Sequence, residues 1–236
     1  MQSKSHPLQI AIDGPVAAGK STVAKKLAEK LNLTYIDTGA MYRCLALAAK
    51  EKHLDWQDES AISDLVQKIT IILKSPHGAK KDGRPVTVYL GNKDVSWKIR
   101  TTDIGEGASI VSQYRKVRQI LVKRQQELAH KNRVVMEGRD IGTRVLPKAD
   151  LKIYLDAKLS ERIKRKRQQL KTTGEHPSLV QVKTAIVKRD HREMKRSTDP
   201  LRPAPNAWQF DTSGLSVDEV IAKILYRLQK QQLITR

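Results

Sequence analysis

The chain has 236 residues, with 45 Lys and Arg against 25 Asp and Glu, so its formal charge is +20. That length is at the upper end for one domain and leaves room for inserted subdomains around a single core. Apolar residues make up 39% and recur periodically to the last turn, which excludes wholesale disorder. The longest unbroken apolar run, Cys44 to Ala49, is far short of the roughly 18 residues that span a bilayer.

In chain order, Leu8 to Asp13 is short and apolar, as a buried strand should be, and it runs directly into a glycine-bounded loop. Gly14-Pro15-Val16-Ala17-Ala18-Gly19-Lys20-Ser21 is a complete P-loop pattern, and Thr22 continues it into a helix. Glycines let successive backbone N–H groups curl toward phosphate oxygens. The lysine reaches the β/γ-phosphates and the serine hydroxyl can ligate Mg²⁺. The helix that follows places Val23, Leu27 and Leu31 on one stripe, with Ala24 and Ala28 beside them. A second strand, Leu33 to Asp37, and a second helix through Ala49 complete a right-handed parallel βαβ unit. The context that a P-loop requires, a strand before and an amphipathic helix after, is therefore met, and the chain is expected to bind a nucleotide.

Residues 63–100 read as a small antiparallel insertion. Ile69 to Leu73 and Val86 to Leu90 are β-rich, with Pro76, Gly78 and Gly83 between them and Gly91-Asn92 as a further turn signal. A helix with apolar Val117, Ile120, Leu121 and Leu128 follows. Strands resume at Val134 to Glu137, Leu151 to Asp156 and Ala207 to Asp211, and the last helix opens on the capping box Ser216 to Glu219. Five buried strands alternating with helices predict an open α/β sheet.

The charge could suggest a nucleic-acid partner, but aromatic residues are only 4%, thin material for stacking bases. It is also concentrated: residues 161–196 carry 12 basic and 4 acidic side chains, and residues 115–133 carry 7 against 1. A single cysteine excludes an intramolecular disulfide and a thiolate zinc cluster, and Cys44 reads as a packing residue. The six histidines form no His-x3-His pair, against an imidazole metal cage. No signal-peptide core follows the polar start Met1 to Pro7, so a cytoplasmic location is expected.

Among P-loop classes, a GTPase needs Asn-Lys-x-Asp after an Asp-x-x-Gly. Here Asn92-Lys93-Asp94 is one residue short, and Asp211 to Gly214 comes too late. A helicase needs more chain. A kinase of a small phosphorylated substrate fits better, with a kinase of another small acid such as shikimate, or an RNA-binding P-loop protein, as rivals. Three groups lie at the carboxyl ends of strands or on a shared face, where ligands of open α/β sheets bind. These are Asp37 to Arg43, Glu137-Gly138-Arg139-Asp140, and the i, i+4, i+7 set Arg189, Glu193 and Arg196.

On Ile12 to Ser21, Asp37-Thr38-Gly39-Ala40-Met41-Tyr42-Arg43, Asp94-Val95-Ser96 with Ile99-Arg100, Val117-Arg118, Gly138-Arg139-Asp140-Ile141-Gly142 and Arg189-Asp190, the chain resembles the bacterial-type cytidylate kinases of the nucleoside-monophosphate kinase family, from about Leu8 to the final helix. The resemblance implies a P-loop three-layer α/β/α fold with a five-stranded parallel sheet. It further implies a core of residues 1–37, 106–157 and 190–236, a monophosphate-binding domain at 38–105 holding the β-insertion, and a helical lid at 158–189. The implied reaction is phosphoryl transfer from ATP to CMP or dCMP, with Mg²⁺, by a monomer without nucleic-acid or membrane partners.

By position, the resemblance assigns Gly14 to Thr22 to ATP. Thr38, Arg43, Arg139, Arg189, Glu193 and Arg196 would hold the acceptor's phosphate and sugar, and Ser109, Arg118 and Asp140 its base. Lys20, Arg139, Arg162, Arg165 and Arg189 would share the charge on the transferred group. Mg²⁺ would sit on Ser21, with Glu137 contributing through water. Chemically, a carboxylate such as Asp140 can accept from the cytosine amino group while an arginine donates to N3 and O2. Glu137 and Glu193 stand where the family usually has Asp; Ala17 stands where some members have Gly.

Overall fold

The computed structural model describes residues 7–130, 132–172 and 174–235. Its centre is a five-stranded, all-parallel sheet in the order β2-β6-β1-β7-β8, formed by β1 (Gln9–Asp13), β2 (Thr34–Asp37), β6 (Val134–Glu137), β7 (Leu151–Asp156) and β8 (Trp208–Asp211). Strands β1 and β6 are buried because both of their faces are covered by helices, which explains their apolar runs without alternation. At the edge, β8 alternates instead: Phe210 is buried while Gln209 and Asp211 are exposed.

One face is covered by α1 (Lys20–Leu31) and α8 (Val217–Lys230). Val23, Leu27, Ile221, Ile224 and Leu228 pack there on Ile10, Ile12, Ile153 and Leu155. The expected Ser216–Glu219 capping box is present. Helix α5 (Arg115–His130) covers the other face through Val122 and Ala129, together with a π-helical turn at Ile141–Val145. The apolar face of α5 differs from the expected one. Val117, Leu121, Val122, Gln125 and Ala129 are buried, whereas Leu128 is 37% exposed, because the stripe passes one residue to its side.

A second cluster joins α2 (Thr38–Glu51), α3 (Glu59–Lys68) and α4 (Thr102–Val111) to the small antiparallel sheet β3-β4-β5 (Ile71–Lys74, Thr87–Leu90, Lys93–Asp94). The sheet is antiparallel as expected, but the insertion read from residue 63 begins as helix. Ile62, Leu65 and Val66 have helical spacing and lie buried on α2's cluster, and Asp58 caps α3 by accepting from the Ala61 amide. Cys44 is buried in the same cluster, and burial pushes its thiol up to about 12. Finally, α6 (Leu159–Thr172) and α7 (Leu179–Lys195) form a hairpin around Leu170, Val182 and Ile186, with Val16 of the P-loop packed against it. Among the described residues no helix is long and apolar enough to cross a membrane.

Candidate active site

Parallel pairing brings three carboxylates to one edge of the sheet. Asp37 and Glu137 are partners across β2 and β6, Ile12 pairs with Glu137, and Asp13 ends β1 beside them. The P-loop leaves the sheet at Asp13. At Gly14, φ is +147° and a Cβ would lie 1.9 Å from the Leu155 carbonyl oxygen, so only glycine lets the chain turn so close to β7. The loop then coils through left-handed Ala17 and Gly19 into α1. Asp13 accepts from the Ile141 and Gly142 amides at 2.8 Å each, tying the π-helical turn to β1; burial still pushes its carboxyl up to about 7.

Lys20 is buried, with Nζ donating to the Pro15 carbonyl at 2.7 Å. Burial, then repulsion from Arg139, pulls its ammonium down to about 7. Ser21 Oγ donates to Glu137 Oε1, which also accepts from the Tyr35 hydroxyl at 3.0 Å. Burial, then the nearby Asp37, raises the Glu137 carboxyl. Exposed Thr22 continues the first turn of α1.

The acceptor-side residues converge on the same edge. Asp37 caps α2 through the Ala40 amide at 3.0 Å and accepts from Arg100 at 2.9 Å; Thr38 Oγ1 donates to the Glu137 carbonyl at 2.7 Å. One turn along α2, Arg43 donates to the Ile99 carbonyl at 3.1 Å, and burial, Arg189 and Arg100 all press against its charge. Arg139 and Arg189 both grip Glu193, through Nε at 2.5 and 2.8 Å. Burial works against the Glu193 charge, but Arg139 and Arg189 overcome it and hold the carboxyl well below its ordinary 4.5.

A depressed carboxyl contributes stability that is fully present above its unfolded value and is lost as pH falls below it. Glu193→Gln is therefore expected to cost about 2–4 kcal/mol at pH 7 by leaving two half-buried guanidinium groups without their buried carboxylate. It should also flatten the loss of stability below about pH 4.5, read as urea midpoints between pH 7 and 3. An unchanged acid limb would remove Glu193 from this role.

A second nest lies beside the first. Arg118 is 1% exposed and donates from Nη2 to Asp140, from Nη1 to the Ser112 carbonyl at 3.2 Å and from Nε to Asp199 at 3.0 Å. Ser109 Oγ and Tyr42 OH are buried without a hydrogen-bond partner among the described residues; the Arg118 guanidinium stands 5.8 Å from the Tyr42 ring centre, and the Ser109 carbonyl takes the hydroxyl of Ser112, whose own carbonyl takes Arg118. Buried polar atoms ordinarily find partners, so these hydroxyls mark a place for a polar ligand.

Arg196 was expected on one helix face with Arg189 and Glu193. It is instead the C-cap of α7, in extended backbone, because its side chain turns back to the Asp199 carbonyl at 2.8 Å through Nε. It still faces Asp140, at 3.8 Å.

The α6–α7 hairpin lies on the P-loop. Arg162 donates to the Val16 carbonyl at 3.2 Å and to Asp190, whose other oxygen takes the Val16 amide at 3.2 Å. Arg165 donates to the Ala18 carbonyl at 3.3 Å and to Thr212. Lys166 donates to Gln169 at 3.4 Å, and burial, then repulsion from Arg43 and Arg189, holds its ammonium down to about 8. Asp13, Tyr42 and Arg100 stand in the quoted motifs without an assigned role, and Tyr35 and Asp199 carry no assigned role either. Strand-end position marks Asp13, but Asp199 lies in an irregular loop with no pattern to flag it.

Lys20, Arg43, Arg139, Arg189 and Lys166 thus meet beside a P-loop, with a neighbouring nest able to donate and accept hydrogen bonds. A family model described as cytidylate kinase matches residues 10–230. The chain belongs to the cytidylate kinase family. Two relatives bear the same name: a cytidylate kinase of Lactobacillus gasseri is 46% identical over 225 residues, covering 95% of each chain. One of Bacillus cereus (strain B4264) is 44% identical over 218 residues, covering 92% of this chain and 94% of its own. An uncharacterized protein from Eubacterium ventriosum has a TM-score of 0.51 at 12% identity, covering 94% of this chain and 98% of its own, and so bears on the fold alone.

Proposed function

We propose that the chain transfers the γ-phosphoryl group of ATP to CMP, giving ADP and CDP in pyrimidine nucleotide metabolism, with dCMP as a second acceptor. The observation that carries the reading is the Arg118–Asp140 pair beside the unpartnered Ser109 and Tyr42 hydroxyls, set next to the P-loop. Cytosine presents an amino donor together with N3 and O2 acceptors, so a carboxylate and a guanidinium side by side suit it. A small-acid kinase shares the P-loop but gives Ser109, Arg118 and Asp140 no common task.

Residues 14–22 cradle the ATP phosphates. Thr38, Arg43, Arg139, Arg189 and Arg196 hold the acceptor's phosphate and sugar, with Glu193 positioning Arg139 and Arg189. An anion arriving among these cations relieves the repulsion and burial that depress Lys20 and Arg43. An acceptor phosphate oxygen forms the new bond to the γ-phosphorus as the bond to the ADP oxygen breaks. That oxygen is already anionic, so no general base is needed, and positioning with charge neutralisation supplies the catalysis. Lys20, Arg139, Arg189 and the lid residues Arg162 and Arg165 share the spreading charge.

Ser21 and Glu137 offer adjacent hard oxygen donors that fit Mg²⁺, which when bound supplies further neutralisation of the phosphates. The segment 38–105 serves as the monophosphate-binding domain and 158–189 as a lid that excludes water over a core of 1–37, 106–157 and 190–236. The protein acts as a monomer in this reading. Dependence on ATP and a free thiol suit the cytoplasm. Product analysis tests the reading: ATP, Mg²⁺ and CMP should yield CDP and ADP in equal amounts, dCMP should yield dCDP, and EDTA should stop both. ADP without CDP would overturn it.

A further inference from the structure

Asp199 uses both its backbone and its side chain to hold two arginines of the acceptor side. Its backbone is left-handed, with φ of +47°, a conformation that Asp tolerates better than most residues. Its carbonyl takes both Nε and Nη2 of Arg196, at 2.8 and 2.5 Å. Its carboxylate meanwhile takes Arg118 Nε at 3.0 Å and stands 3.6 Å from Arg144. On its outer side lies a cavity of about 330 Å³ lined by Arg115, Lys123 and Arg144.

The consequence lies in which edge of Arg118 is used. The Nε and Nη2 hydrogens form the side edge of the guanidinium, the edge that grips one carboxylate with two parallel hydrogen bonds. Here two different carboxylates divide it: Nε goes to Asp199 and Nη2 to Asp140 Oδ2. Asp140 therefore spends one oxygen on Arg118 and keeps Oδ1 turned toward Arg196 at a loose 3.8 Å. With Nη1 also given to the Ser112 carbonyl, one hydrogen on each terminal nitrogen remains for a ligand.

We infer that Asp199 is a specificity-positioning residue: by occupying Arg118 Nε it prevents Asp140 from closing a two-bond pair with Arg118, and so keeps a carboxylate oxygen open for the cytosine amino group. The inference rests on the base-reading role proposed for Arg118 and Asp140. Uracil carries a carbonyl where cytosine carries the amino group and gains nothing from a free carboxylate oxygen, so the effect of losing Asp199 falls on CMP and not on UMP.

The test compares Asp199→Gly, Asp199→Asn and Arg118→Ala in full steady-state kinetics with CMP, UMP and ATP varied. Glycine keeps the left-handed backbone and the carbonyl that holds Arg196 but removes the carboxylate; asparagine keeps an oxygen for Arg118 Nε. Asp199→Gly should raise the CMP KM about tenfold and lower the CMP-to-UMP ratio of kcat/KM about tenfold, with the ATP KM and saturating kcat within about twofold. Asp199→Asn should restore most of the ratio. An unchanged ratio in Asp199→Gly, or a parallel rise of CMP and ATP KM, overturns the inference. If that ratio is unchanged while Arg118→Ala loses it, only the role of Asp199 fails. If Arg118→Ala also keeps it, the base-reading assignment itself fails.

Discussion

Lys20→Ala is expected to lower kcat by about 10³-fold, the upper end of the scale seen when a pre-organised donor to a developing charge is removed. Lys20 is held at the mouth of α1 by the Pro15 carbonyl, 2.7 Å away, with its ammonium depressed to about 7 by burial and by Arg139. Triphosphate oxygens entering the loop favour the charged form and pull the lysine off that carbonyl, so its full charge is available only when substrate is present. The same reasoning predicts that folding survives the substitution, because removing a buried, depressed cation relieves a cost. Thermal melting should therefore be unchanged or slightly raised while turnover in an ADP-release assay disappears. Near-normal turnover by a folded variant would contradict the assignment of residues 14–22.

Arg118→Ala is expected to raise the CMP KM by two orders of magnitude or more while the ATP KM moves less than about threefold, since two charge-assisted contacts to the base are lost together. It should also destabilise the protein by about 3–5 kcal/mol, because Asp140 and Asp199 lose the buried cation that pairs them. Kinetics at saturating CMP separate the two effects: a folded fraction measured by urea titration accounts for lost stability, and the remaining KM change belongs to recognition. Equal effects on both KM values would remove Arg118 from the acceptor side.

The parallel core was legible because its strands are short apolar runs separated by turn signals, and β6 and β7 carry the bounds expected for them. The phosphate loop was legible because its glycines and lysine fall at a spacing that few other structures require. Sequence reasoning failed where a residue's partner is distant. The second half of α3, Ser63 to Lys68, leads straight into β-rich sequence and its Asp58 cap lies upstream, so pattern alone joins it to the β-insertion. The i, i+7 spacing predicts Arg196 on the helix face, but α7 ends at Lys195 and the Arg196 side chain bonds the Asp199 carbonyl beyond it. The sharing of Arg118 between Asp140 and Asp199 joins residues 22 and 81 positions apart. The charge concentrated in residues 115–133 and 161–196 is partly accounted for: Arg118, Arg162, Arg165, Arg189 and Arg196 bond to loop carbonyls and carboxylates of the site. Among the described residues Lys164 pairs with its helix neighbour Glu161 and contributes to an exposed surface.

The most direct test is a coupled ADP-release assay with ATP and Mg²⁺ against CMP, dCMP, UMP, AMP, GMP and shikimate at equal concentration. The largest kcat/KM is expected with CMP, with measurable turnover of dCMP, a value for UMP at least about tenfold below CMP as one hydrogen-bonding edge is mismatched, and background rates for AMP, GMP and shikimate. A preference for UMP, a purine monophosphate or shikimate over CMP would contradict this expectation.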